Sequence, residues 1–365
     1  MRLLAQLLRQ VLDINDKYLI LSLVMSGMVD GFAPLRIKRV VRETADAVSL
    51  VLDVPEHCSA NFKYQAGQFL TLRVDLGGQE FRRCYSMSSA PVEDELRITV
   101  KRDPGGLVSN WLNDTAAEGA ELHAAPPEGR FVLCADVADD LVTFAGGSGI
   151  TPIISLIRTA LTNTSRRVRL FYANRGRDSV IFADVLNQLA EQHPSRFEVV
   201  LHYDDDRGVV APATVTSFVR GDIADYYICG PTPFMDAVEA AVLEAGVPKA
   251  RVHLERFQVA PVPVEFIDAD GADVQTDEVV FVLDHKSTVA SYRAGDTLLQ
   301  TARSAGLKAP ASCETGSCGT CMAKIVEGTA RMLNNDALDD DEVDDGWVLT
   351  CQSLPTSRTV RVDYE

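Results

Sequence analysis

The chain has 365 residues, 46% of them hydrophobic, enough for two to three ordinary domains with a core each. A net charge of −17 argues against a general nucleic-acid surface. Four of the cysteines, Cys58, Cys84, Cys134 and Cys229, are scattered, which is the usage of a reducing compartment; we expect no disulfides and a cytoplasmic protein.

The N-terminal stretch is compositionally separate, with seven Lys/Arg against three Asp/Glu up to Arg42. Leu3, Leu4, Leu7, Leu8, Val11 and Ile14 recur at three- and four-residue steps with polar residues between, the pattern of an amphipathic helix within an extension over 1–33. The apolar run at 18–29 is too short to span a bilayer and carries no A-x-A cleavage site, so it is not a secretory signal. Two roles are open to this helix. It covers the body of the protein or a partner, the commoner fate of such a face, or it lies peripherally on a membrane with Arg2, Arg9 and Lys17 toward headgroups.

Short strands at 49–54, 69–74 and 96–100, separated by Gly, Pro and Asp turns, predict a small β-barrel over 34–136. After Asp139 the period changes. An apolar strand at 141–144, a glycine turn at 146–151 and a helix at 153–161 open a parallel α/β domain over 137–257. Further strands are expected at 168–172, 197–202 and 226–229, with a helix at 236–245 closed by Gly246 and Pro248. A Pro- and acid-containing linker over 258–277 precedes a last domain, 278–365, opened by a strand at 279–283. The fold class is therefore multidomain, α/β plus β.

Cys313, Cys318, Cys321 and Cys351 stand in a C-x4-C-x2-C spacing with a distant fourth, the plant-type arrangement for a 2Fe-2S cluster. Gly316 and Gly319 admit positive φ, and Ser312 and Ser317 are small enough for amides to approach inorganic sulfide. Structural zinc is the competing use, but its frames pair two short C-x2-C or C/H hairpins, and here only Cys318 and Cys321 make such a pair. The histidines lack metal-ligand spacing.

Arg83, Tyr85 and Ser86 fall in R-x-Y-S, which resembles the flavin motif of the ferredoxin-NADP reductase superfamily. The resemblance implies that Arg83 pairs with a flavin phosphate, that Tyr85 lies against the isoalloxazine and that Ser86 hydrogen-bonds near flavin N5. Those side chains suit such roles: a guanidinium for phosphate, an aromatic face for a planar ring, a hydroxyl that donates and accepts. Val100 and Lys101, followed by Gly106, Leu107, Val108 and Ser109, resemble the pyrophosphate turn of the same family, where backbone amides at a helix start meet a diphosphate. This favours FAD over FMN. The C-terminal domain would have the β-grasp ferredoxin fold.

A glycine loop with Gly147, Gly149, Thr151 and Pro152 stands between a predicted strand and a helix, the context that a phosphate-binding loop needs. It resembles the nicotinamide-nucleotide loop of that family, with Gly147 and Gly149 allowing close backbone approach to pyrophosphate. Cys229, Gly230 and Pro231 match its second nucleotide motif, which would put Cys229 beside nicotinamide C4 and flavin N5 and make Ser86 and Cys229 the catalytic pair. Asn174 and Arg175, with Arg177, stand where coenzyme choice is made; the arginines suit a 2′-phosphate, yet similar stretches occur in NADH users, so NADH and NADPH both stay open.

Flavin and cluster motifs in one chain imply an NAD(P)H-dependent oxidoreductase delivering electrons to a partner oxygenase, since flavin converts two-electron to one-electron chemistry. The pattern is similar to reductase components with C-terminal ferredoxin domains that serve 3-ketosteroid 9α-hydroxylase and phenylacetate epoxidase. Membrane fatty-acyl desaturases and hybrid-cluster proteins are alternative acceptors, and a redox-sensing module is the non-enzyme alternative. Seven carboxylates at 336–345 either steer a basic partner surface or form a solvated acidic helix.

Overall fold

The computed structural model describes residue 28 and residues 31–93, 95–134, 140–219, 224–257, 276–312, 314, 316, 318–335 and 337–364. The amphipathic helix expected within 1–33, Cys313, Ser317 and nearly all of the 258–277 linker lie outside the described residues.

Six strands make the first sheet: β1 (Ala33–Thr44), β2 (Ala47–Asp53), β3 (Phe69–Leu76), β4 (Gln79–Ser86), β5 (Leu96–Lys101) and β6 (Glu121–Ala124). They pair antiparallel in the order β4-β3-β6-β1-β2-β5 around a core of Leu35, Leu50, Leu70, Leu72, Ile98 and Val100. Helix α1 (Leu107–Thr115) seals one end with Val108 and Leu112. Strand β4 carries the R-x-Y-S motif, and the sequence pattern does not announce it. Its residues Q-E-F-R-R-C-Y-S are polar and mostly half-exposed because it is an edge strand, so no apolar alternation marks it.

The second sheet is parallel throughout, in the order β11-β10-β7-β8-β9, from β7 (Asp140–Gly146), β8 (Val168–Asn174), β9 (Phe197–Tyr203), β10 (Ala224–Cys229) and β11 (Val252–Glu255). Every residue of β8 and β10 is buried, as expected for central strands covered on both faces. Helices α2 (Ile150–Asn163) and α3 (Ala183–Gln192) pack one face; beyond one short turn, α4 (Asp204–Arg207), α5 (Pro212–Phe218) and α6 (Thr232–Glu244) pack the other. Arg166 and Asp225 form a buried ion pair, and Arg166 also donates to the Cys134 carbonyl at 3.0 Å, tying this sheet to the end of the barrel segment.

The third unit is a mixed sheet, β13-β12-β18-β14-β16, from β12 (Glu278–Leu283), β13 (Lys286–Ser291), β14 (Met322–Glu327), β16 (Trp347–Leu349) and β18 (Thr359–Asp363), beside a β15 (Ala330–Met332) and β17 (Ser353–Pro355) pair. Terminal strand β18 runs parallel to β12, and α7 (Leu298–Ser304) packs against the sheet through Leu298 and Ala302. A capping box fixes the start of α7, where Thr297 Oγ1 accepts from Gln300 N at 3.2 Å and Gln300 Oε1 accepts from Thr297 N at 2.8 Å. The last short helix is α8 (Asp340–Asp344), inside the acidic stretch.

This third unit is held to the other two by polar contacts. Thr71 Oγ1 on β3 and Ser312 Oγ are 2.6 Å apart and buried, and Thr320 Oγ1 donates to Glu128 at 2.8 Å. Arg130 donates to the Ala337 carbonyl at 2.8 Å and to both carboxylate oxygens of Glu342 at 3.0 and 3.2 Å, while Lys249 pairs with Asp340 at 2.7 Å. The acidic helix thus commits two carboxylates to contacts inside the molecule. Neither a freely solvated helix nor a patch given over wholly to a partner describes it.

Candidate functional site

Strands β3 and β4 set Leu70 opposite Tyr85 and Leu72 opposite Arg83, which brings the motif to the rim of the barrel where the parallel sheet abuts it. There Arg83, Tyr85, Ser86, Lys101, Gly106, Leu107, Val108, Ser109 and Thr151 line one cavity of about 220 Å³. An adjoining cavity of about 550 Å³ is lined by Lys101, Gly147, Arg175, Gly230 and Pro231. Lys101, Asp103, Ser148 and Phe257 line both, so the two form one continuous cleft between barrel and nucleotide sheet. Burial lowers the Lys101 ammonium below its ordinary range, opposed by the nearby Asp46 carboxylate.

The cleft suits a flavin nucleotide. It offers an aromatic ring, a guanidinium and the N-terminal turn of α1, closed where Asp103 N donates to Ser109 Oγ at 3.2 Å. A Cβ at Gly106 would meet Ser109 Oγ at 2.5 Å, so a side chain there would displace the hydroxyl that closes the turn. Asn174, at the end of β8, is buried beside the Tyr172 hydroxyl and lines neither cavity.

Not every residue expected in the site lines the cleft. Val100 is buried in the barrel core with its carbonyl accepting from Asn113 at 3.1 Å, and Pro152 is buried in the first turn of α2. Cys229 is wholly buried and lines neither cavity; burial, then the Glu255 charge, raises its thiol well above the ordinary range, so it is a neutral thiol. Gly149 does not face the cavity either. A Cβ on it would stand 2.1 Å from the Cys229 carbonyl oxygen, so its lack of a side chain serves the packing of one nucleotide loop on the other, whereas Gly147, at φ +52°, opens toward Lys101. Gly149→Ala should therefore destabilise the protein by about 2–3 kcal/mol, as overpacking against unyielding backbone does. Thermal unfolding would read this as a lowered Tm.

Sequence reasoning passed over Glu255 as a functional group. Glu255 ends β11 and is buried, and Ser86 Oγ donates to its Oε2 at 3.3 Å across 169 positions of sequence. Burial pushes its carboxyl up to about 8, with the Ser86 bond acting the other way. The folded state then holds this proton where an unfolded chain has lost it, so stability falls as pH rises from the ordinary glutamate range through about 8 and levels beyond. Glu255→Gln should flatten that part of the Tm-against-pH curve. An unchanged slope between pH 5 and 8 would show that Glu255 is ionised throughout.

Of the four cysteines expected to hold a cluster, Cys318, Cys321 and Cys351 are described, all buried, with Cys321 and Cys351 in a small core with Leu299, Leu338 and Leu349. Thr320 N donates to Cys318 Sγ at 3.4 Å, and the Cys321 carbonyl accepts from both the amide and the hydroxyl of Thr350. Gly316 and Gly319 have φ of +89° and +76°, the conformation predicted for a tight loop. Among the described residues no three His, Cys, Asp or Glu side chains converge as a metal site, and the set is incomplete there without Cys313. The donor chemistry, sulfur with an amide directed at it, fits an iron–sulfur centre.

A flavin cleft shared with a glycine-loop nucleotide sheet, joined to a domain with a plant-type cysteine set, defines an NAD(P)H-dependent flavin and iron–sulfur oxidoreductase. The chain matches the oxidoreductase FAD-binding domain over 34–133, the oxidoreductase NAD-binding domain over 144–240 and the 2Fe-2S iron-sulfur cluster binding domain over 281–356. It is 38% identical to the ferredoxin reductase component of 3-ketosteroid-9-alpha-monooxygenase from Rhodococcus rhodochrous, over 90% of this chain and 96% of that one. It is 31% identical to a component of 1,2-phenylacetyl-CoA epoxidase from Escherichia coli (strain K12), over 92% and 98%. Among solved structures, phthalate dioxygenase reductase is 27% identical, with a TM-score of 0.60 over 92% of this chain and 98% of that chain. The chain belongs to the family of FAD-, NAD(P)- and 2Fe-2S-dependent reductase components within the ferredoxin-NADP reductase superfamily. Among the described residues no helix is long and apolar enough to cross a membrane.

Proposed function

We propose that the chain takes reducing equivalents from NADH or NADPH in the barrel–sheet cleft and passes them singly through its C-terminal domain to a separate oxygenase of the steroid or aromatic hydroxylase type. The observation that carries this reading is the juxtaposition at Thr71. Its hydroxyl is 3.4 Å from Cys84 Sγ, between Arg83 and Tyr85 of the flavin motif, and 2.6 Å from Ser312 beside the cysteine loop. Ser312 therefore meets the barrel on β3, at the residue paired with Cys84 on the neighbouring strand β4 that carries the flavin motif. Relatives named as monooxygenase and epoxidase components support an oxygenase as acceptor, rather than a desaturase or hybrid-cluster protein.

FAD, when bound, supplies the exchange between a two-electron hydride and single electrons, and the 2Fe-2S cluster a one-electron exit. In our reading Arg83 and the α1 amides hold the flavin phosphates, Tyr85 covers its ring, and Cys313, Cys318, Cys321 and Cys351 ligate the iron. Gly147, Gly230 and Pro231 seat the coenzyme pyrophosphate. Ser86 orients the reacting groups and stands 3.3 Å from Glu255, whose burial, against the pull of the Ser86 bond, keeps a proton on a relay beside the cleft. The neutral thiol of Cys229 contributes shape and exclusion of water, not a nucleophile.

Anaerobic titration with each coenzyme tests the assignment, following flavin and iron–sulfur absorbance together. Bleaching of flavin and then of the cluster bands is the expected sequence. A colourless protein, or bands indifferent to both coenzymes after reconstitution, would sink the proposal.

A further inference from the structure

Arg175 is the cation that a 2′-phosphate would need, and the fold gives it an internal partner. In open α/β sheets the adenosine ribose sits beyond the end of the second strand of the nucleotide domain, where an acid accepts from a free 2′-hydroxyl and an arginine accommodates a 2′-phosphate. That strand is β8, which ends at Asn174, with Arg175 next in the chain. The Arg175 guanidinium donates to Asp46 Oδ2 at 2.8 Å, a contact from the nucleotide domain to the barrel across 129 positions.

Asp46 is held for this contact. It occupies the β1–β2 hairpin turn, where its Oδ1 accepts from Thr44 Oγ1 at 2.8 Å, its own amide donates to that hydroxyl at 3.3 Å and its carbonyl accepts from Arg102 N at 2.7 Å. Its side chain is 28% exposed against 72% for Arg175, and both line the 550 Å³ cavity. A second carboxylate flanks the same loop. Asp205 N donates to the Arg175 carbonyl at 3.0 Å, and its Oδ2 lies so near Gly176 that a Cβ there would be 2.5 Å away. The other candidate cation, Arg177, lies over the Tyr203 ring at 4.9 Å.

We propose that Asp46 is the coenzyme-selecting residue of this reductase: by engaging Arg175 it withdraws the guanidinium from a 2′-phosphate, and with Asp205 it surrounds the ribose end with carboxylates that favour the free hydroxyls of NADH and repel NADPH. Discrimination here comes from a repulsive element supplied by the barrel, not by the nucleotide domain itself. The proposal rests on the reductase reading above.

Two readouts on the full-length holoprotein test it: kcat/KM for flavin reduction by NADH and by NADPH, and calorimetric affinity for 5′-AMP and adenosine 2′,5′-bisphosphate. The wild-type protein should favour NADH by about tenfold or more, and Asp46→Asn should lower that preference about tenfold, chiefly by improving NADPH, as removal of one facing charge predicts. The same variant should tighten adenosine 2′,5′-bisphosphate and leave 5′-AMP nearly unchanged. Adding Arg175→Ala to Asp46→Asn should abolish the gain. Asp205→Asn, on the other side of the loop, should move the ratio the same way and serves if Asp46→Asn does not fold. A wild-type protein indifferent to the 2′-phosphate, or a ratio unmoved in Asp46→Asn, or in Asp205→Asn where Asp46→Asn does not fold, overturns the proposal while leaving the reductase reading intact. Flavin that neither coenzyme bleaches overturns that reading and this one with it.

Discussion

Replacing Cys318 by Ser should leave reduction of the flavin by coenzyme intact and cut reduction of cytochrome c by more than about a hundredfold, the loss expected when a ligand itself is removed rather than a supporting hydrogen bond. The two activities separate because they are built on different parts of the chain. The flavin cleft is made by β4, β5, α1 and the loops of the parallel sheet, and Cys318 lines neither of its cavities. Cys318 is buried and accepts the Thr320 amide through sulfur, and a serine in its place would exchange a soft sulfur ligand for a neutral hydroxyl oxygen that binds cluster iron poorly. Stopped-flow absorbance would follow flavin bleaching, and steady-state cytochrome c reduction the exit. Cytochrome c reduction persisting at more than half the wild-type rate would mean that electrons leave directly from the flavin.

The second large effect should follow from Arg130→Glu. Arg130 grips the C-terminal domain through both a backbone carbonyl, Ala337, and a carboxylate, Glu342, and its pairing holds the Glu342 carboxyl below the usual carboxylate range. Charge reversal removes three hydrogen bonds and sets a carboxylate against Glu342. An exposed ion pair contributes about 1 kcal/mol at most, but reversal adds repulsion to the loss, and every ~1.4 kcal/mol is tenfold in the docked population. Flavin-to-cluster transfer should slow about tenfold while flavin reduction stays near wild type. Raising salt should slow the wild-type transfer more than the variant's, because the variant keeps the neutral contact at Thr71 and the Thr320 bond, with Lys249 and Asp340 still paired, but has lost the Arg130 ion pair. Glu342→Arg added to Arg130→Glu should restore the rate. Transfer unchanged in the variant would show that the docked arrangement is not the one through which electrons pass.

The same contact changes how the acidic stretch is understood. The seven carboxylates over 336–345 read as partner steering or as simple solvation. Glu342 and Asp340 instead bond to Arg130 and Lys249, which lie 212 and 91 positions away. No local pattern carries that information, because both cations look like ordinary surface residues until the domains are folded and packed.

Local chemistry, by contrast, was legible. The parallel strands could be read because β7, β8 and β10 are buried on both faces and so appear as apolar runs, and the glycine loop between β7 and α2 is marked by residues that few others could replace. The cysteine spacing predicted the class of metal centre, since ligands within one loop must be close in sequence. Edge strand β4 escaped periodicity but not its motif, and Phe257, which lines both cavities, gave no local signal.

By itself the amino-acid sequence determined the three units, the cofactors they take and the loops that hold them, because each of these depends on residues a few positions apart. The tertiary structure alone decided which distant groups meet: Ser86 with Glu255, Asp46 with Arg175, Thr71 with Ser312. Those pairs underlie the proposed proton relay, the proposed coenzyme choice and the proposed route between domains. Their partners are brought together by chain topology and domain packing, and where burial removes water, as at Ser86 with Glu255 and Thr71 with Ser312, a polar group depends on the partner the fold gives it.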